Sequence, residues 1–116
     1  MTVLGDLVCE ADRRALTGAL GEFMAEQYAR SLSSGFWGWL DDDIALVKPW
    51  GFDLDMLGAP LTIWHGAEDR FVPISHGEWL ASHLPATAQL RPHDGHLSLT
   101  ITSYGEILDA LIASGG

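Results

Sequence analysis

Two apolar runs, each ending in a glycine turn that presents an ionisable side chain, constrain this chain more than any other feature. Leu61-Thr62-Ile63-Trp64 leads into His65-Gly66-Ala67-Glu68-Asp69 and on to Phe71-Val72-Pro73, and Thr87 to Arg91 leads into Asp94-Gly95-His96-Leu97. Asp69 and His96 stand 27 residues apart, room for one helix and one strand between them. That spacing suits an acid and a base at the same end of two neighbouring parallel strands. An Asp–His pair so placed is two members of a hydrolytic triad.

The rest of the pattern agrees with an α/β fold. Leu61 to Trp64 is short, apolar and β-branched, the composition of a buried parallel strand, and Pro60 stands where its missing N–H is tolerated. Pro73 suits the first turn of a helix running to about Leu84, with Trp79, Leu80 and Leu84 inward. Thr87 to Arg91 is the second strand. Leu97 to Ala113 is a final helix with Leu97, Ile101, Tyr104, Leu108, Leu111 and Ile112 as its apolar stripe. Strand, helix, strand, helix implies a parallel sheet with a right-handed crossover.

Residues 2–47 read as helical. Leu16, Leu20, Phe23, Met24 and Tyr28 recur at three- and four-residue steps, Thr17 is the expected N-cap, and Gly35 ends that helix. Asp41, Asp42 and Asp43 are expected at the start of the next, where the helix dipole favours negative charge. Lys48-Pro49 ends it, and Trp50 to Ala59 connects to the first strand.

His65-Gly66-x-x-Asp69-x-x-Val72-Pro73 together with Gly95-His96 resembles the C-terminal part of an α/β-hydrolase. The resemblance covers residues 57–114 well, and residues 1–50 resemble more loosely the end of that family's helical cap. It implies two parts: a cap-like segment over residues 1–50 and, over 51–116, the C-terminal part of the hydrolase core. The family's order along the chain is nucleophile, acid, His. The resemblance therefore implies hydrolysis of an ester, amide, epoxide or similar bond in a small-molecule substrate through a covalent intermediate. His96 would be the base and Asp69 the acid that orients it. The family pattern favours Asp69 over the adjacent Glu68, whose side chain leaves the turn in another direction.

Residue chemistry agrees. Imidazole takes and returns a proton near neutral pH, and a carboxylate that accepts its Nδ1–H selects the tautomer and stabilises the imidazolium. Gly95 is expected to permit the tight turn out of the strand. His65, at a strand end, reads as a structural residue packing beneath the acid loop. His76 and His83 are seven apart on one helix, too far for a two-His metal site, and His93 with Asp94 has no Cys/His cluster beside it. No metal and no cofactor is expected.

The nucleophile is missing. A G-x-S-x-G elbow between a strand and a helix does not occur. Ser31-Leu32-Ser33-Ser34-Gly35 follows a helical stretch and reads as a helix end, Ser75 comes after the acid, and Cys9 sits among helical residues without flanking glycine. The oxyanion hole, which the family builds from the elbow and an earlier loop, is missing with it. The chain therefore reads as a fragment that is inactive alone, or as a non-catalytic interaction module on the same scaffold. Trp37, Trp39 and Trp50 either line a substrate pocket or pack cap against sheet.

The formal net charge of −10 argues against nucleic acid or an anionic membrane as partner. A homo-oligomer or a complementary N-terminal hydrolase fragment is expected instead, since the first strand would lack a neighbour. The one cysteine excludes an internal disulfide, no apolar run reaches membrane-spanning length, and no signal peptide is visible, so the cytoplasm is the expected compartment.

Overall fold

A computed structural model describes residues 5–114. Residues 2–4, part of the stretch read as helical, lie outside the described residues. The helices are α1 (Glu10–Ala15), α2 (Gly18–Ser31), α3 (Trp37–Val47), α4 (Ile74–His83) and α5 (Ser98–Ser114), and the strands are β1 (Leu61–Gly66) and β2 (Ala86–Arg91). Short 3-10 turns cover Gly5–Leu7 and Leu54–Met56. The chain is mixed α/β. β1 and β2 pair in parallel, in a register that puts His65 opposite Leu90 and Gly66 opposite Arg91. α4 makes the crossover and packs on both strands; α5 packs on β1 and on α1. Among the described residues no helix is long and apolar enough to cross a membrane.

The N-terminal part holds three α-helices, α1 preceding the two that the sequence pattern delimits at Thr17, Gly35 and Lys48-Pro49. Thr17 does occupy the N-cap position of α2, but its hydroxyl donates to the Arg14 carbonyl (2.8 Å) and caps nothing. Gly35 adopts a φ of 104°, a left-handed conformation open to glycine, and α3 starts two residues later at Trp37. Asp41 to Asp43 therefore fall beyond the first turn, where the dipole no longer favours them. Lys48 is extended, as the residue before a proline must be.

Burial departs from the apolar stripes. α2 and α3 hold no buried residue, and Phe23 and Tyr28 are exposed. In α4 Leu84 is buried at its C-cap, but Trp79 lies outside, stacked on His83 with ring centroids 4.1 Å apart. In α5 the buried side chains are Ser98 and Ser103, while Ile101, Tyr104, Leu108, Leu111 and Ile112 face outward. These faces have the right periodicity and no second layer to meet, because a two-stranded sheet offers too little surface. The radius of gyration, 16.3 Å, exceeds the roughly 13 Å of a compact chain near this length.

The core that does form lies where α1 meets the turn after β2. Val8, Cys9 and Ala11 are its apolar members, and Asp12, Cys9 and Ser98 are the largest side chains wholly removed from water. Arg91 ties the end of β2 to its surroundings: its guanidinium lies 4.7 Å over the Trp64 ring and pairs with Glu106 of α5.

Candidate active site

The acid turn is built by its own backbone. The Asp69 N–H donates to the Gly66 carbonyl (3.1 Å), closing the chain just past β1. Asp69 Oδ1 then accepts the N–H groups of Phe71 (2.8 Å) and Val72 (2.9 Å). A carboxylate spanning the next two residues in this way is a common turn device of aspartate. It leaves Oδ2 free to point elsewhere. Glu68 is one residue early for these bonds and remains exposed.

The acid and base turns are stitched together. Ala67 N–H donates to Arg91 C=O (2.8 Å), and Glu68 N–H to Asp94 C=O (2.9 Å). The closeness needs glycine: a Cβ on Gly66 would collide with the carbonyls of Asp94 and Gly95. Gly95 is likewise a matter of space and not of turn conformation. Its φ is not positive, and a Cβ there would strike the Cys9 thiol and the Asp12 carboxylate.

His96 Nδ1 lies 2.9 Å from Asp69 Oδ2. The carboxylate can only accept, so Nδ1 carries the proton and Nε2 presents a lone pair. The Asp69 side chain is 7% exposed and that of His96 is 42% exposed: the acid is sheltered and the base reaches out. Phe71 leans on the imidazole, centroids 5.0 Å apart, and restricts its rotation. Among the described residues no group hydrogen-bonds to Nε2. An oriented imidazole with a free nitrogen at the mouth of a parallel sheet is equipped to remove a proton from a hydroxyl, thiol or water and to return it to a leaving group.

His65 lies beneath this pair. It is 7% exposed, and its Nε2–H donates to the Val72 carbonyl (3.0 Å), pinning the far end of the acid turn. Its 3.7 Å separation from Asp69 Oδ2 is too long for a hydrogen bond. Gly77 of α4 rests on the imidazole with no room for a side chain between.

The residues considered as nucleophiles do not join the site. Ser33 donates to Arg30 C=O (2.7 Å) at the end of α2, and Ser75 is exposed on α4. Cys9 is buried under Gly95, directed at Asp12. Trp37, Trp39 and Trp50 are more than half exposed and build no core between helices and sheet. Trp50 lines an open depression with Phe52, Trp79 and His83, whose lining includes neither Asp69 nor His96.

Asp12 and Ser98 are the residues that sequence reasoning missed. Asp12 Oδ1 accepts Leu97 N–H (3.0 Å), Ser98 N–H (2.8 Å) and the Ser98 hydroxyl (2.9 Å), while Oδ2 accepts His96 N–H (3.1 Å). Burial works against the charge, and the donors of Ser98 and Leu97 with the Cys9 thiol outweigh it, holding the carboxyl below its ordinary range. The available signal was slight: an aspartate beside the small apolar residues Val8, Cys9 and Ala11, and a serine three places after Gly95.

No family model, curated protein or solved structure matches the chain.

Proposed function

We propose that this chain carries the acid–base half of a hydrolase of the α/β-hydrolase type, acting on an ester, amide, epoxide or similar bond of a small molecule. His96 is the general base and acid, and Asp69 is its orienting carboxylate. The observation that carries the reading is the 2.9 Å contact between His96 Nδ1 and Asp69 Oδ2, with Nε2 left open. The nucleophile and oxyanion donors come from a polypeptide segment other than residues 5–114, in the same or a complementary chain. An unpaired thiol, Cys9, fits a reducing cytoplasm.

One observation favours a second reading, a non-catalytic interaction module. Among the described residues each strand has a single strand partner, and many large apolar side chains face outward, from Trp37 and Trp39 to Leu111 and Ile112. Surfaces of that kind bind other proteins.

The coding DNA upstream of the Met1 codon separates the two. The hydrolase reading expects an in-frame strand followed by G-x-S-x-G and a helix, and a full reading frame whose product hydrolyses an activated ester and loses that activity in His96→Ala. Unrelated upstream sequence, or turnover indifferent to His96, favours the module.

A further inference from the structure

We infer that Asp12 is a positioning residue for His96, holding the backbone of the base while Asp69 holds its ring. The inference rests on the reading of Asp69 and His96 as an acid–base pair, and adds to it a third residue and a dependence on α1.

Four successive backbone N–H groups converge below the imidazole. Those of His96, Leu97 and Ser98 go to the Asp12 carboxylate, and that of Gly95 goes to the Ser98 hydroxyl (2.7 Å), which itself donates to Asp12. Ser98 is the first residue of α5, where a helix's N–H groups have no partner within it, and the N–H groups of Gly95, His96 and Leu97 belong to the turn just before it. A local serine or aspartate cap would satisfy them at little cost. Here the cap is a charge 84 to 86 positions away, withdrawn completely from water. Burying a carboxylate is costly until its partners compensate.

What the arrangement achieves beyond capping is control over one residue. The N–H that Oδ2 takes is that of His96 itself. Fixing that N–H sets the position of the Cα from which the imidazole projects, while Asp69 sets the ring's far end. Cys9 and Asp12 also form the floor that forbids a side chain at Gly95, so the turn cannot drop away from Asp69. A catalytic side chain needs its supporting shell placed to about 0.5 Å, and one carboxylate on the backbone N–H with another on the ring provides that. It follows that the base is correctly placed only while α1 is docked.

The test is the tautomer of His96, read from the 15N shifts of its ring nitrogens in the labelled chain at a pH where the ring is neutral. The wild-type ring should be the Nδ1–H form, and Asp69→Asn should convert it to Nε2–H. Asp12→Asn keeps shape but places an amide N–H2 against backbone donors, and should likewise lose the Nδ1–H form while the β1–β2 amide signals stay in place. Should Asp12→Asn fail to fold, Ser98→Ala removes one donor, keeps the charge, and should shift part of the His96 population to Nε2–H. Retention of Nδ1–H in the folded Asp12→Asn chain, or an unmoved ratio in Ser98→Ala, overturns the inference and leaves the dyad intact. An Nε2–H wild type overturns both.

Discussion

Asp69 divides its two oxygens between His96 and its own turn: Oδ2 meets the imidazole Nδ1 at 2.9 Å, and Oδ1 takes the N–H groups of Phe71 and Val72 at 2.8 and 2.9 Å. The division decides what Asp69→Asn does. The amide oxygen stays with the two backbone donors, so the N–H2 turns to His96. Nδ1 must then accept, and the ring proton moves to Nε2, which ceases to be a base. In the complete enzyme that the proposed function expects, kcat should fall by roughly 10⁴-fold, the scale of the same substitution in a serine protease triad. Steady-state kinetics showing a change under tenfold would mean that Asp69 does not orient the base.

The isolated chain should hydrolyse a p-nitrophenyl ester no faster than free imidazole at the same concentration. On the proposed reading His96 and Asp69 supply base and orienter, whereas the nucleophile and the oxyanion donors, which carry the larger share of such catalysis, lie in another segment. Turnover above that background and abolished by His96→Ala would reveal a nucleophile within these residues. Ser33, Ser75 and Cys9 would then be replaced in turn.

Acid should weaken the chain through Asp12. Its carboxyl lies below the ordinary 3.8 in the folded state, so the folded chain binds this proton less readily than the unfolded chain. The stabilisation is fully present above the unfolded value of 3.8 and drains away as pH falls through the lower folded value. At neutral pH, Asp12→Asn should lower unfolding stability by about 1–3 kcal/mol, the cost of leaving a buried donor badly paired. Urea midpoints measured across the acid range should show wild type and variant converging below pH 3.8. A constant gap would assign the acid sensitivity to other groups.

Self-association should follow from the open edges. Among the described residues β1 and β2 each keep one edge without a strand partner, and the outer faces of α2, α3 and α5 are apolar. At micromolar concentration the chain should sediment as an oligomer, or bind a complementary N-terminal hydrolase fragment where one is supplied. The net charge of −10 opposes pairing of like chains, so added salt should strengthen self-association. A cooperatively unfolding monomer, with the free-edge amides of β1 protected from hydrogen exchange, would mean that other residues of this chain cover that edge.

The placement of Asp69 beside His96 was legible in the sequence because it depends on local events. An apolar β-branched run makes a strand, a glycine lets the next backbone come close, and the intervening helix sets the distance. The order of elements and the extended Lys48 before Pro49 follow from the same short-range rules. That Asp69 and not Glu68 meets His96 is local too, since Asp69 is the one in register to accept from Phe71 and Val72.

Tertiary structure alone decided the other half of the site. Nothing near Asp12 indicates that its carboxylate collects N–H groups from His96 to Ser98, because a buried charge is tolerated only where distant donors meet it. The use of Gly95 is of the same kind: sequence suggests a flexible turn, whereas the fold requires an absent Cβ above Cys9 and Asp12. Helical periodicity, finally, specified which faces are apolar but not what covers them. Phe23, Trp79 and Leu111 lie outside because burial needs an opposing surface, and two strands do not provide one.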